Sequence, residues 1–423
     1  MSLSPLIVRP LNAPEEYTRY YRLANTAFAP EPSEEDAQRR QNSTMQSPDF
    51  RAERVRGAFR DGQLLGGYTV HDRVLRMGAA RLSIGGIGTV VTAPEARKQG
   101  VATALMQDAL VFARENKHAL LLLDGIPNFY FRYGYTDMFD VPIIEINRAA
   151  ILAQSPSALS VRLATIDDVS TINTLYQRHF GAYTGSFERS LKHQEHRFLH
   201  RREPLLVAHT PQGEIEGYLL HGIKDEIDQG REVAANNWVA LLALLRYHAE
   251  LFDSSNAPIT LQYFLPLAAP MTYWMIDTLE VLDASQAHSP AQEWRVRSVT
   301  HHQRFTGWMG CLTNFSLLMD SILPELQARW RRVLAQWTGT ITLIVEGQTR
   351  GLYLNGSDLQ MTEHSQSSDC QLELTSQELV QLIFGYRPLS QLIDTSQFTS
   401  DVRSVLTNLF PAGHTWMPYT DWF

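Results

Sequence analysis

The residue types and spacings that could do chemistry begin at Thr89-Val90-Val91-Thr92-Ala93-Pro94-Glu95-Ala96-Arg97-Lys98-Gln99-Gly100-Val101-Ala102-Thr103-Ala104-Leu105. A strand rich in Gly and β-branched residues over 85–92 leads into a turn at 93–99, and an amphipathic helix is expected from Gly100 to Asn116. The start of such a helix leaves N–H groups unpaired at the positive end of its dipole, which favours a pyrophosphate. Gly100 lets the backbone approach phosphates without a Cβ in the way, Ala102 keeps the helix close to the sheet, and Arg97 and Lys98 add positive charge at the rim. The bare pattern Arg-x-x-Gly-x-Ala is short and arises by chance; its strand-loop-helix setting gives it weight.

A second cluster, Asn128-Phe129-Tyr130-Phe131-Arg132-Tyr133-Gly134-Tyr135, is aromatic. A phenol of pKa ~10 stays protonated at neutral pH and can donate a proton, although a packed aromatic with a satisfied hydroxyl is the commoner role of a tyrosine. His193, His196 and His200 fall on one helical face, but no His-Glu-x-x-His spacing accompanies them and Lys192, Glu195, Arg197, Arg201 and Arg202 surround them. A charged, solvated helix is the expected outcome there, and no metal is expected. No Gly-x-Ser-x-Gly elbow, Walker loop or calcium loop occurs.

Several elements must position these residues. Arg54 to Phe59 and Gln63 to Val70 read as strands of a hairpin turning at Asp61-Gly62, and Ala119 to Leu123 as a buried strand after the helix. The polar stretch 31–46 reads as a lid or helix edge. From Ser160, VRLATIDDVSTINTLYQRHF faintly repeats the opening IVRPLNAPEEYTRYYRLANTAF, and LLVAHTPQGEIEGYLLHG again reads as a hairpin, so a degenerate repeat is expected. From about residue 296 the character changes: TGTITLIVEGQTRGLYLNG suggests strands and LTSQELVQLIFG a short helix. Three domains follow, over 1–150, 151–295 and 296–423, in line with ~150 residues per domain.

Composition bounds the function. The 37 Lys and Arg against 45 Asp and Glu leave a net charge of −8, so nucleic acid is an unexpected partner and a small cation a better one. Cys311 and Cys370 are too few for a disulfide framework or a thiolate zinc site, which points to a reducing, cytoplasmic location. Neither a secretory leader nor an apolar run of the ~20 residues that span a bilayer is seen, so no membrane partner is expected.

The loop at 90–104 resembles that of the GNAT superfamily of N-acetyltransferases, and the 128–135 segment resembles the Tyr-x-x-x-Gly-Phe/Tyr element that closes over the thioester end of their cofactor. The layout of a GNAT domain, a degenerate GNAT repeat and a sterol-carrier-like domain with a C-terminal Phe resembles the enhanced-intracellular-survival (Eis) acetyltransferases. The resemblance implies an α+β fold: tandem GNAT domains with mixed central sheets flanked by helices, followed by a sterol-carrier-like α/β domain. It further implies acetyl-CoA as co-substrate, a primary amine as acceptor, direct attack on the thioester, and a homo-oligomer with a hexamer among the expected forms. On this basis backbone groups of Val90, Val91 and Thr92 would pair with the pantetheine arm. Arg97, Lys98, Gln99, Gly100, Val101, Ala102 and Thr103 would surround the pyrophosphate, with Tyr130 and Phe131 at the cofactor's other end. Tyr135 would be the acid, with Tyr130 its rival under the wider superfamily pattern.

Under the same resemblance the α-carboxylate of Phe423 would act as base. At a pKa of ~3.5 it is weak toward an alkylammonium, so burial among Trp416, Tyr419 and Trp422 would have to raise it. Phe28 matches an aromatic pocket position of the family. Pro30 and Trp422 stand where its aminoglycoside-acetylating members have acidic residues; Glu34, Glu35, Asp36 and Asp421 could restore charge. The middle domain lacks the loop and is expected to bind no CoA. The alternative reading is a lipid or small-molecule carrier acting through the third domain.

Overall fold

The structure is a computed structural model that describes residues 4–421 apart from 30, 253–257, 280–293, 303, 334–336, 364–367 and 414. The chain forms two compact units, one of residues 1–139 and 303–413, the other of residues 140–302 and 414–422.

The first unit opens with β1 (Ile7–Pro10), α1 (Pro14–Phe28), α2 (Glu34–Met45), β2 (Val55–Arg60), β3 (Gln63–Met77), β4 (Ala80–Thr92), α3 (Val101–Glu115), β5 (Leu120–Gly125) and the short β6 (Thr136–Asp137). Asp61 and Gly62 take φ of 50° and 77°, the positive dihedrals that the Asp-Gly turn between β2 and β3 requires. On α3, Val101, Leu105, Met106, Ala109, Phe112 and Ala113 are buried, the 3.6-residue stripe that fixes which face meets the sheet. Each large side chain among them is worth roughly 1.5–3 kcal/mol of burial. The residues 31–46 expected as a lid or helix edge are mostly α2, capped by Ser33, whose Oγ accepts from the Asp36 N–H at 3.1 Å.

The second unit contains β7 (Val141–Asn147), α4 (Arg148–Leu152), β8 (Ser160–Leu163), α5 (Val169–Phe180), α6 (Leu191–His200), β9 (Leu205–His209), β10 (Ile215–His221), β11 (Gln229–Ala235), α7 (Trp238–Glu250), β12 (Thr260–Tyr263), α8 (Pro270–Leu279) and β13 (Val296–His301). The chain then supplies β14 (Gly307–Leu312), α9 (Phe315–Arg331), β15 (Trp337–Val345), β16 (Gln348–Gly356), β17 (Asp358–Thr362), β18 (Cys370–Leu374), α10 (Ser376–Ile383), α11 (Leu389–Leu392) and α12 (Ser400–Leu409), all in the first unit.

Two seven-stranded mixed sheets result, ordered β1-β2-β3-β4-β5-β14-β6 and β8-β9-β10-β11-β12-β7-β13, with a four-stranded sheet ordered β17-β16-β15-β18. The sheets match position by position, which is the repeat that the sequence hinted at. In each, the sixth strand comes from elsewhere in the chain: β14 pairs antiparallel with β5 and β6, and β7 pairs antiparallel with β12 and β13. The divisions at 150 and 296 therefore do not follow the sheets, because β7 precedes residue 150 yet serves the second sheet, and β14 follows 296 yet serves the first. A buried apolar strand carries no mark of the sheet it will join. Within the first unit, Glu325 on α9 accepts from the Ala79 N–H at 2.8 Å, and Gln381 on α10 donates to Thr136 Oγ1 at 2.8 Å.

Candidate active site

The site begins with an irregularity in β4. Gly88 faces Thr69 and Val91 faces Gly67, so β4 carries one extra residue, and Thr89 accommodates it with φ of 53°. Tyr20 on α1 holds this bulge: its hydroxyl donates to the Thr89 carbonyl at 3.0 Å and shares a hydrogen with Thr69 Oγ1 at 2.9 Å. Beyond the bulge β4 leaves its parallel neighbour. The β4–β5 pairing covers only Ile84–Gly86 with Leu120–Leu122, so Val90, Val91 and Thr92 present backbone groups that no β5 residue pairs. The Val91 side chain is buried in the core and Val90 packs against it while partly exposed.

The chain then makes a 3-10 turn over Pro94–Ala96 and enters α3 through Lys98 and Gly100, with φ of 61° and 83°. Gly100 is the N-cap, no side chain caps α3, and a Cβ at Gly100 would meet nothing within 4 Å. The first N–H groups of α3 therefore face open space, with the exposed Arg97 and Lys98 at its edge. Gln99 is tied down, accepting from Arg60 Nη1 at 2.6 Å and donating to the Glu95 carbonyl at 2.7 Å. In the second unit the corresponding helix α7 begins differently: the Asn237 side chain accepts from the Ala240 N–H at 2.9 Å. One N–H of that helix start is therefore capped from within the chain.

Tyr130–Tyr133 forms a 3-10 turn between β5 and β6. Tyr133 and Thr103 share a hydrogen bond at 3.1 Å, which fastens the turn to the first turn of α3. Phe131 is exposed and lies against Phe305 with ring centroids 5.0 Å apart. Tyr130 and Tyr135 are both buried, with centroids 5.9 Å apart. Burial, helped by the Asp124 charge, pushes the Tyr130 phenol up to about 12. Tyr135 is 1% exposed, burial raises its phenol well above the usual range, and its hydroxyl has no hydrogen-bond partner among the described residues. An unsatisfied buried hydroxyl costs about 1–3 kcal/mol, so its presence marks a place where a ligand atom can complete it.

Asp124 escaped the sequence reading. It is the penultimate residue of β5, opposite Trp308 and two residues past the last β4–β5 pair, and is therefore at the mouth of the wedge that opens between those two strands. It alternates with Leu121 and Leu123, which pack with α3, and its side chain belongs to the other face. Solvent reaches it, yet flanking protein pushes its carboxyl above the usual aspartate value. The signal available was a lone charge ending the apolar run Leu120 to Leu123.

Three of the four acidic residues considered as cation ligands are engaged in ion pairs. Glu34 pairs with Arg22 at 2.8 Å and Asp36 with Arg39 at 3.2 Å. In the second unit Asp421 accepts from Arg189 and Arg197, each at 2.8 Å, and Arg189 also pairs with Glu232 at 2.6 Å. Trp416 packs on Phe180 at 4.8 Å and Tyr419 on Phe264 at 4.4 Å, so the tail 415–421 is firmly seated there. Phe423, Trp422 and Pro30 lie outside the described residues. Phe28 is exposed at the end of α1. The His196 and His200 rings are tilted against each other with centroids 4.3 Å apart, and among the described residues no three His, Cys, Asp or Glu side chains are grouped to hold a metal.

Residues 8–138 match the family described as acetyltransferase (GNAT) domain. The first unit thus carries a GNAT domain, and by that domain the chain is an acetyltransferase. Solved structures share the fold over nearly the full length of both chains. A probable N-acyltransferase from Enterococcus faecalis V583 aligns with a TM-score of 0.72 at 16% identity, covering 99% of this chain and 100% of that one. A GCN5-related N-acetyltransferase from Anabaena variabilis gives 0.69 at 18% identity, with 99% and 100% covered. Eis1 from Mycobacterium abscessus gives 0.62 at 15% identity, with 98% and 100% covered. At these identities the likeness is one of fold, and it extends to the tandem arrangement. No curated protein matches the chain in sequence.

Proposed function

We propose that the chain transfers an acetyl group from acetyl-CoA to a primary amine by direct attack on the thioester. The observation that carries this reading is the uncapped start of α3, where left-handed Gly100 leaves room for phosphate beside a strand that has parted from its neighbour. Residues 97–103 would hold the pyrophosphate, and the open backbone of Val90 to Thr92 the pantetheine arm, placing the thioester in the wedge with Tyr130 and Phe131 around it.

The neutral amine nitrogen forms a bond to the thioester carbonyl carbon, the carbon–sulfur bond breaks, and the departing thiolate takes a proton from Tyr135. Tyr135 suits this role because its hydroxyl lacks a partner among the described residues. Its raised phenol does not prevent the transfer, since the same burial raises the basicity of the thiolate that receives the proton. The amine proton passes to the Phe423 carboxylate, directly or through water, and solvent restores the phenol. The third sheet and its helices are assigned a sterol-carrier-like part that supports the tail, with Ile341, Leu343, Leu352 and Leu354 filling its core. A homo-oligomer is the proposed working form.

Free-thiol release across a panel of primary amines tests this reading in three variants. Removing Phe423 and Tyr135→Phe should each lower turnover about 10²–10⁴-fold, the range of general acid-base assistance, with CoA affinity nearly unchanged. A loss confined to Tyr130→Phe moves the acid to Tyr130. Full turnover without Phe423 makes the tail an anchor only.

A further inference from the structure

Near its end β5 carries a carboxylate that the acetyl-transfer steps leave unused. The Asp124 side chain makes no hydrogen bond or ion pair among the described residues. Loss of water through burial is what raises its carboxyl, and no cation stands beside it to oppose the shift. A carboxylate that has given up part of its hydration without gaining a counter-charge is costly, and a bound cation relieves that cost. Solvent still reaches Asp124, so such a cation has a way in.

Its place in the sheet says what the cation belongs to. Strand β5 runs parallel to β4 with Leu122 beside Gly86, so Asp124 stands level with Gly88, the residue before the Thr89 bulge. Leu121, Leu123, Met309 and Cys311 pack on the α3 side. Asp124 and Trp308, directly across from it on β14, therefore share the opposite face. The cofactor's phosphates belong to α3 under the proposed function, which leaves the Asp124 face to the acceptor. An indole beside a carboxylate is a combination that suits an organic cation.

Distance separates this cation from the reacting nitrogen. With the pantetheine arm along Val90 to Thr92, the thioester lies at least two residues past Gly88, about 7 Å along the strand at ~3.3 Å per residue. A hydrogen bond of ~3 Å does not span that gap to the attacking amine, but it does meet a second charge carried a few carbons away. Resting on the acetyl-transfer reading, we propose that Asp124, with Trp308 beside it, binds a second cationic group of the acceptor and so selects diamines over amines with an apolar or anionic tail. Asp124 takes no proton from the reacting nitrogen in this scheme; it sets which amine is bound.

Free-thiol release from saturating acetyl-CoA, with putrescine, pentylamine and γ-aminobutyrate as acceptors of similar length, tests this at one pH and ionic strength. The wild-type kcat/KM should be highest for putrescine and lowest for γ-aminobutyrate. In Asp124→Asn the ratio of putrescine to pentylamine should fall about ten- to a hundredfold, mainly through KM, the size of a charge-assisted hydrogen bond. Asp124→Glu should restore part of that ratio, and Asp124→Lys should favour γ-aminobutyrate over putrescine. Calorimetric titration of putrescine into the CoA complex reads the same contact without turnover and should weaken in Asp124→Asn by a similar factor. A wild type without preference for putrescine, or an Asp124→Asn ratio equal to the wild type's, overturns the proposal, while turnover of pentylamine keeps the acetyl-transfer reading standing. An equal loss for all three amines also overturns it and makes Asp124 the base. If no amine releases thiol, the acetyl-transfer reading fails and the titration decides Asp124 alone: absent binding, or binding that Asp124→Asn leaves intact, overturns the proposal.

Discussion

Gly100 combines two demands that no other residue type meets. Its φ of 83° disfavours a side chain, and the space a Cβ would enter is where, under the proposed function, phosphate oxygens would come close to the backbone. Gly100→Ala should therefore cost about 1 kcal/mol of stability and raise the KM for acetyl-CoA roughly tenfold with a smaller change in kcat; an unchanged KM would put the phosphates elsewhere. His248 in the second unit gives a test by pH. Its Nε2–H donates to the Ile227 carbonyl at 2.6 Å, its Nδ1 accepts from the Tyr263 hydroxyl at 2.9 Å, and burial lowers its pKa to about 4. A buried neutral histidine leaves the unfolded chain to bind the proton first, so its stabilisation is complete above about pH 6.5 and is lost as pH falls toward about 4. The loss amounts to roughly 3 kcal/mol, and His248→Gln should flatten this part of the pH–stability curve. A curve of the same slope in that variant would place the titration on another group.

At the scale of elements, the bulge in β4 and its latch on α1 decide whether the wedge stays open. Tyr20→Phe removes the bond to the Thr89 carbonyl and should cost about 1 kcal/mol while lowering kcat several-fold, read by denaturant unfolding and thiol release together. The hairpin at Asp61-Gly62, the helix after Gly100 and the strand after residue 119 were legible because each follows from local spacing or turn chemistry. The bulge was not, since Thr89 carries no sign that it will take a left-handed conformation and depends on Tyr20, about seventy residues away. Tyr130 and Tyr135 could be named from sequence, whereas the full burial of the Tyr135 hydroxyl, without a hydrogen-bond partner among the described residues, exists only once the core has closed. Asp124 was hidden for a similar reason: its exposure at the wedge follows from where β4 and β5 separate.

At the scale of the molecule, the exchanged sixth strands bind distant parts of the chain together. A fragment ending at residue 150 would leave β5 without β14 and carry β7 without β12 and β13. We expect that fragment to be insoluble, whereas a fragment of 1–139 fused by a short linker to 304–413 should be soluble and bind CoA; expression and CoA titration of both check this. Sequence periodicity could place the strands but not their partners, so the repeat was legible and the exchange was not.

The exchange also sets a timetable for synthesis. The ribosome finishes β5 roughly 180 residues before β14, an interval of roughly 10–35 s at ordinary elongation rates. Throughout it the newborn first sheet has an open edge beside its most apolar strand, while β7, which emerges just after the short β6, belongs to a sheet not yet made. Such a chain must wait with its edge protected, which makes holding factors at the ribosome exit as much a condition of its activity as any residue in the wedge.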